Sequence, residues 1–323
     1  MSDRTTDTAG RPDHAADRLE AAVAATASVA CVGLDPRPEL IPPALRRAAL
    51  ERHGDGAEAV ADAFLAFNVG ILDAVAGRCP VVKPQVACYE AYGAAGWRTL
   101  EATVAAAGER GLQVIVDGKR NDIGSTATHY AQAAFGGAPG LDGARLSGLG
   151  GDWLTVNGYL GGDAIDPFLG AAGDADAGGH GIFVLVRTSN PSAADLQDRV
   201  IDTGTVADAM AELVTTWGRS RVGRCGLSAV GAVVGATWPD QARELRRRMP
   251  DTWFLVPGYG AQGGSAADAV AGARLSGPAG LLVNSSRQIL AAWQHDDEAD
   301  WVGSAGRALD AMNADLGTAL AAR

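Results

Sequence analysis

Eight short apolar runs alternate with helix-patterned stretches along this chain, and that alternation narrows the fold more than any other feature. The runs fall at 28–35, 80–85, 113–117, 152–157, 181–190, 228–236, within 252–264 and at 280–287. Between them, Val60, Phe64, Phe67, Ile71 and Val75 form one stripe at helical spacing, and Val206, Met210, Leu213, Val214 and Trp217 form another. Shorter patterns occur at Leu100, Val104 and Ala107, closed by Gly108 or Gly111, and at Tyr130 and Ala134. Thr237 is the expected N-cap of a helix whose Leu245 and Met249 face inward. Leu19 and Val23 suggest a helix before the first strand. Trp301, Ala305, Leu309, Met312, Leu316 and Leu320 suggest one after the last. Alternating β and α units imply a parallel sheet, and eight of them favour a closed (β/α)8 TIM barrel over an open doubly wound sheet. No linker or short repeat divides the chain. One α/β domain, 17–323, is expected behind a polar tail, 1–16, expected to be disordered.

Composition excludes several classes of partner. A net charge of -11 argues against nucleic acid and anionic membranes, which need a basic face. It leaves room for a small anion held by a few local donors. No run is long and apolar enough to span a membrane, and the first residues lack the apolar core of a secretory signal. Cys31, Cys79, Cys88 and Cys225 are scattered without C-x-x-C pairing, as buried small hydrophobes in a reducing cytosol would be. A cytoplasmic protein is expected.

The third run carries the densest chemistry. It reads QVIVDGKRNDIGST, with Asp117, Lys119 and Asp122 in a D-x-K-x-x-D spacing. If the strand persists through Lys119, period-two alternation puts Asp117 and Lys119 on one side. Ile123 to Thr126 then form a turn with hydroxyls suited to opening a helix. A lone D-x-K reads as a solvated surface loop with casual pairing. The other strand ends change that reading. They supply Asp35, Lys83, Thr155 with Asn157, Thr188-Ser189-Asn190, Pro257-Gly258 and Asn284-Ser285-Ser286-Arg287, with strand six offering no obvious group. Charged ends on apolar bodies suit a barrel, where chemistry gathers at the carboxyl ends of the strands.

Ends seven and eight have a separate logic, because barrels often bind phosphate there. The glycines of PGYGAQGG let backbone approach an anion, Gln262 adds a donor, and Arg287 offers a planar fork for phosphate oxygens. Lys83 could be a snorkelling surface lysine or a Schiff-base amine, but Asp117 and Asp122 nearby would keep Lys83 and Lys119 protonated, which suits proton donation better than amine attack. His129 reads as a helix-surface or packing residue. His14, His53, His180 and His295 show no metal-ligand spacing, so no metal is expected.

Together VGLD, VVKPQ, DGKRNDIGST, RTSNPS, VPGYGAQGG and VNSSR resemble the orotidine 5′-phosphate decarboxylase family, in its longer bacterial subgroup, from about Ser28 to about Trp293. The resemblance implies a (β/α)8 homodimer that converts orotidine 5′-phosphate to UMP and CO2 in pyrimidine biosynthesis without cofactor or metal. It further implies that Lys83, Asp117, Lys119 and Asp122 form an alternating charge network. Lys119 would protonate the ring carbanion, Asp117 would lie beside the substrate carboxylate, and Asp122 would reach the neighbouring subunit's site. Asp35, Lys83 and Thr126 match ribose contacts, Ser189 a pyrimidine contact, and Gln262 and Arg287 phosphate contacts. Asn121 and Gln288 depart from the family's common residues beside these motifs, at positions that carry no chemistry. The glycine-rich segment Gly136–Gly151, flexible in composition and readable as an insertion, stays unassigned.

The physics fits that reading. Decarboxylation without an electron sink needs a positioned cation where the carbanion develops, in a site organised before substrate arrives. A phosphate grip remote from the reacting carbon supplies binding energy that can be spent on the transition state. Two alternatives remain at the level of sequence. A phosphosugar decarboxylase or aldolase of the same barrel group would share D-x-K-x-x-D but hold magnesium and an acid where this chain has Lys83. A non-catalytic phosphoribosyl-ligand sensor would have no need of the intact charge set.

Overall fold

A computed structural model of the chain describes residues 14–170, 179–202, 204–260, 263–277 and 279–323. At its centre eight parallel strands close into a barrel: β1 (Ala30–Leu34), β2 (Val81–Pro84), β3 (Gln113–Arg120), β4 (Trp153–Val156), β5 (Gly181–Arg187), β6 (Ser228–Val234), β7 (Thr252–Val256) and β8 (Leu281–Ser285). Sequence neighbours are barrel neighbours, and β8 closes on β1 with Asn284 opposite Cys31. Each apolar run supplies one strand, so the α/β barrel expected from them is the fold observed.

The strands are apolar along their length because both faces are covered. Inside, Cys31, Val81, Ile115, Trp153, Phe183, Ala229, Trp253 and Leu282 give one buried side chain from each strand. Two glycines admit the large rings. A Cβ on Gly181 would lie 2.2 Å from the Trp153 ring, and one on Gly231 would lie 2.5 Å from Phe183. Outside, the helix Ala57–Val75 buries its expected stripe of Phe64, Phe67 and Ile71. The C-terminal helix Trp301–Ala321 packs on it, with the Phe67 and Trp301 rings 5.2 Å apart.

The floor of the barrel is closed by the helix Ala15–Thr26, whose Ala15, Ala16 and Leu19 join the interior cluster. Asp17 accepts hydrogen bonds from the Cys225 and Arg224 N–H groups, and Arg18 pairs with Asp152 at 3.3 Å. Ala15 and Ala16, placed by sequence in the tail, are therefore helical and buried. The rest of that expectation, on residues 1–13, lies outside the described residues. Among the described residues no helix is long and apolar enough to cross a membrane.

One unassigned segment takes shape, and two local expectations need correction. The Gly136–Gly151 segment carries a small antiparallel ribbon that pairs Ala138–Pro139 with Arg145–Leu146. Thr237 caps no helix: Pro239–Arg248 begins after Trp238, and Thr237 Oγ1 donates instead to the Ser189 carbonyl at 3.4 Å. The helix Gly124–Phe135 starts after Ile123 with no side-chain cap, so the hydroxyls of Ser125 and Thr126 do not open it.

Candidate active site

Asp117 stands at the centre of the carboxyl-end face. Its Oδ2 accepts from Lys83 Nζ at 2.7 Å and from Gln85 Nε2 at 3.0 Å. Its Oδ1 accepts from Lys119 Nζ and from Thr155 Oγ1, each at 2.7 Å. Two ammonium groups thus flank one carboxylate, each on its own oxygen. Asp35 adds a second acid on the far side of Lys83, with Oδ1 3.9 Å from Nζ. That Oδ1 is buried and accepts no hydrogen bond from any described residue.

The backbone at Lys119 departs from regular strand geometry. Its φ is 46°, in the left-handed region that side-chain-bearing residues rarely occupy, and the β3–β4 register shifts between Val116 and Arg120. Asp117 and Lys119 meet on one side as period two suggested, but through this left-handed turn. Such a conformation costs on the order of 1–3 kcal/mol and persists where neighbours over-determine it. Thr155 does so here. Its Oγ1 accepts from Lys119 N at 2.9 Å while donating to Asp117.

Electrostatics keep Asp117 and Lys83 ionised. Burial alone would raise the Asp117 carboxyl, but the Lys83 and Lys119 ammonium groups override it and hold the group well below the usual carboxylate range. Burial alone would lower Lys83, but Asp117 and Asp35 hold it well above an ordinary lysine. A lysine pinned in its charged form is no amine nucleophile.

These groups line a cavity of about 750 Å³ to which residues at or just past the end of each barrel strand contribute. Ser189, at the end of β5, lines it opposite the lysines, and Gly235 after β6 backs on to Ser189. Pro257, Gly258 and Tyr259 after β7, and Asn284 to Arg287 at the end of β8, form the remaining wall. Arg287 is exposed at the start of the single-turn helix Arg287–Leu290. Tyr259 reaches out of the β7 loop to the C-terminal helix, donating to Asp315 Oδ2 at 2.8 Å.

The profile of the "Orotidine 5′-phosphate decarboxylase / HUMPS family" matches residues 29–300. The chain belongs to this family. It is 47% identical over 307 residues to the orotidine 5′-phosphate decarboxylase of Rhodopirellula baltica, covering 93% of this chain and 98% of that one. It is 41% identical over 302 residues to the enzyme of Halorubrum lacusprofundi, covering 91% and 93%. Among solved structures, a putative orotidine 5′-phosphate decarboxylase from Streptomyces avermitilis superposes with a TM-score of 0.71 at 30% identity, covering 96% of this chain and 98% of that one.

As an orotidine 5′-phosphate decarboxylase family member, the chain assembles most of the side chains singled out by sequence. Lys83, Asp117, Lys119, Asp35, Ser189 and Arg287 share one cavity. Asp122 and Thr126 do not line the cavity of their own chain. Asp122 is half-buried and accepts from the Ile123 N–H, and Thr126 is exposed on the helix Gly124–Phe135. Gln262 lies outside the described residues. Sequence reasoning passed over Gln85, Gln197 and Tyr259 as site residues, all of which line the cavity, and gave Thr155 no role. The one available signal for Gln85 was its place directly after Lys83-Pro84 at a strand end. Gln288, set aside as carrying no chemistry, packs against the glycine-rich loop after β7: a Cβ on Gly260 would lie 2.4 Å from its Oε1.

Proposed function

We propose that this chain decarboxylates orotidine 5′-phosphate to UMP and CO2, a step of pyrimidine biosynthesis, using its own side chains alone. The observation that carries this reading is the single carboxylate of Asp117 held between the ammonium groups of Lys83 and Lys119. In the proposed step the bond from the ring to its carboxylate breaks, and the electron pair stays on the ring carbon. The Lys119 ammonium, already positioned and charged, stabilises that carbanion and then transfers its proton to it, while CO2 leaves. Asp117 holds Lys119 in place and lies beside the departing carboxylate. Whether the order of the two events overlaps does not alter the atoms: one C–C bond is lost and one C–H bond is formed.

The remaining roles follow the cavity. Asp35, with an oxygen that accepts no hydrogen bond from the described residues, suits a ribose hydroxyl, as does Lys83. Ser189 faces the base, and Arg287 with Gln262 takes the phosphate. Asp122 and Thr126 act on the site of a second copy. Their absence from their own cavity supports this, as do the exposed apolar side chains Ile123 and Tyr130 beside them. The working enzyme is then a homodimer. Four free cysteines fit a reducing cytoplasm. The relatives' activity is tested by following loss of orotate absorbance with purified protein and orotidine 5′-phosphate in EDTA. Turnover is expected. Activity that EDTA abolishes, or that needs a sugar phosphate instead, overturns the reading; tight UMP binding without turnover points to a sensor.

A further inference from the structure

The Arg187 guanidinium is wholly buried yet is not among the groups that line the cavity. Its Nη2 pairs with Asp198 Oδ2 at 3.1 Å, its Nη1 donates to Gln197 Oε1 at 3.1 Å, and its Nε donates to Gln241 Oε1. Gln241 Nε2 returns to Asp198 Oδ1 at 3.2 Å, closing a ring, and the guanidinium lies 4.2 Å over the Trp238 ring. Removing an arginine from water is a poor source of stability, because desolvation offsets most of what pairing contributes. Geometry is the better account of it.

What the ring holds is the backbone just after β5. Gln197 Oε1 accepts from Thr188 N at 2.9 Å, and Gln197 Nε2 donates to Thr188 Oγ1 at 2.8 Å. From the other side Trp238 Nε1 donates to the Thr188 carbonyl at 3.2 Å, and Thr237 Oγ1 to the Ser189 carbonyl at 3.4 Å. Gly235 backs on to Ser189 so closely that a Cβ there would sit 2.9 Å from Ser189 Cα. Both polar backbone groups of Thr188 are therefore fixed by side chains that touch Arg187. Ser189, the next residue, opens on to the cavity.

We infer that Arg187 and Gln197 are positioning residues for base recognition, holding Thr188 and Ser189 so that the serine meets the pyrimidine at one place. The inference rests on the decarboxylase reading and on Ser189 as its base contact. It separates two halves of the site. The β5 end reads the base, while the phosphate grip belongs to the ends of β7 and β8 across the barrel. Loosening the ring should weaken ligands that carry a base and spare those that carry only sugar and phosphate.

The test titrates wild type, Arg187→Met, Arg187→Lys and Gln197→Ala with UMP and with ribose 5-phosphate. Wild type is expected to bind both. Each variant should lose about tenfold in UMP affinity, with ribose 5-phosphate affinity within about twofold of wild type. Ser189→Ala should add little in the Gln197→Ala background, since both remove one function. Equal loss of both ligands, unchanged UMP affinity, or full additivity with Ser189→Ala overturns the inference. Gln197→Ala leaves the buried cation with its carboxylate, so it carries the comparison if Arg187→Met fails to fold. A wild type that neither binds UMP nor turns over orotidine 5′-phosphate sinks the decarboxylase reading itself, and this inference with it.

Discussion

Lys83 Nζ and Asp117 Oδ2 lie 2.7 Å apart with their side chains only 6% and 7% exposed. A pair this dry titrates far outside the neutral range, and the signs can be worked out. The Asp117 carboxyl is held below its unfolded value, so its contribution to stability is complete above about pH 4 and is lost as pH falls through the folded value. Lys83 is held above its unfolded value, so its contribution is complete below about pH 10 and is lost as pH rises further. Neither group should tilt stability between about pH 5 and 9.

Lys83→Met leaves Asp117 buried beside Lys119 alone. Desolvation then counts for more, and the Asp117 carboxyl should move up, bringing an acid limb into the kcat/KM profile near or above pH 4. Turnover should fall by about 10²-fold or more. An acid limb identical to wild type would show that Lys83 does not set the charge state of Asp117.

Lys119→Ala removes the proposed proton donor while leaving Lys83, Asp117 and the proposed phosphate contacts. A drop in turnover of about 10³-fold or more is expected, with UMP binding retained in a titration. Unchanged turnover excludes Lys119 from the chemistry.

Asp122→Ala and Lys119→Ala proteins, each inactive alone, should complement when mixed and allowed to exchange subunits. If Asp122 serves the other copy's site, about half of the dimers are mixed and each of these has one complete site of two, so recovery approaches about a quarter of wild-type activity. No recovery despite proven exchange removes the shared site.

Arg246 is a second buried arginine, with a different purpose. Its donors meet the carbonyls of Gly272, Met249, Thr252 and Gly280, and it lies over the Phe254 ring at 3.7 Å. Arg246→Met strands those carbonyls and should cost about 3 kcal/mol or more in denaturant unfolding. A loss under about 1 kcal/mol would mean that water or neighbours satisfy them.

Much of this was legible in the residues themselves. Eight apolar runs, most of them ending in charge or hydroxyl, were enough for the barrel and for Asp35, Lys83, Asp117, Lys119, Ser189 and Arg287 as one face, because strand ends converge in that topology. What stayed hidden depends on partners distant in sequence. Thr155 braces Lys119 only through the shifted β3–β4 register. Gln197 and Gln241 resemble surface glutamines until Arg187 is seen between them. The ribbon at Ala138–Pro139 and Arg145–Leu146 has two residues per strand, too few for any alternation to appear. Thr237 and Ser125 are residue types that favour caps, yet Thr237 bonds the distant Ser189 carbonyl and Ser125 falls inside a helix that already starts at Gly124.

The helix Ala15–Thr26 and the aromatic layer above it turn the barrel into a cul-de-sac. With Ala15, Ala16 and Leu19 stopping one end and Trp153, Phe183 and Trp253 filling the middle, no rear exit exists along the barrel axis among the described residues. Gas and nucleotide must therefore leave by the doorway through which the substrate came, and the carbon dioxide has to slip past UMP or wait for it to go.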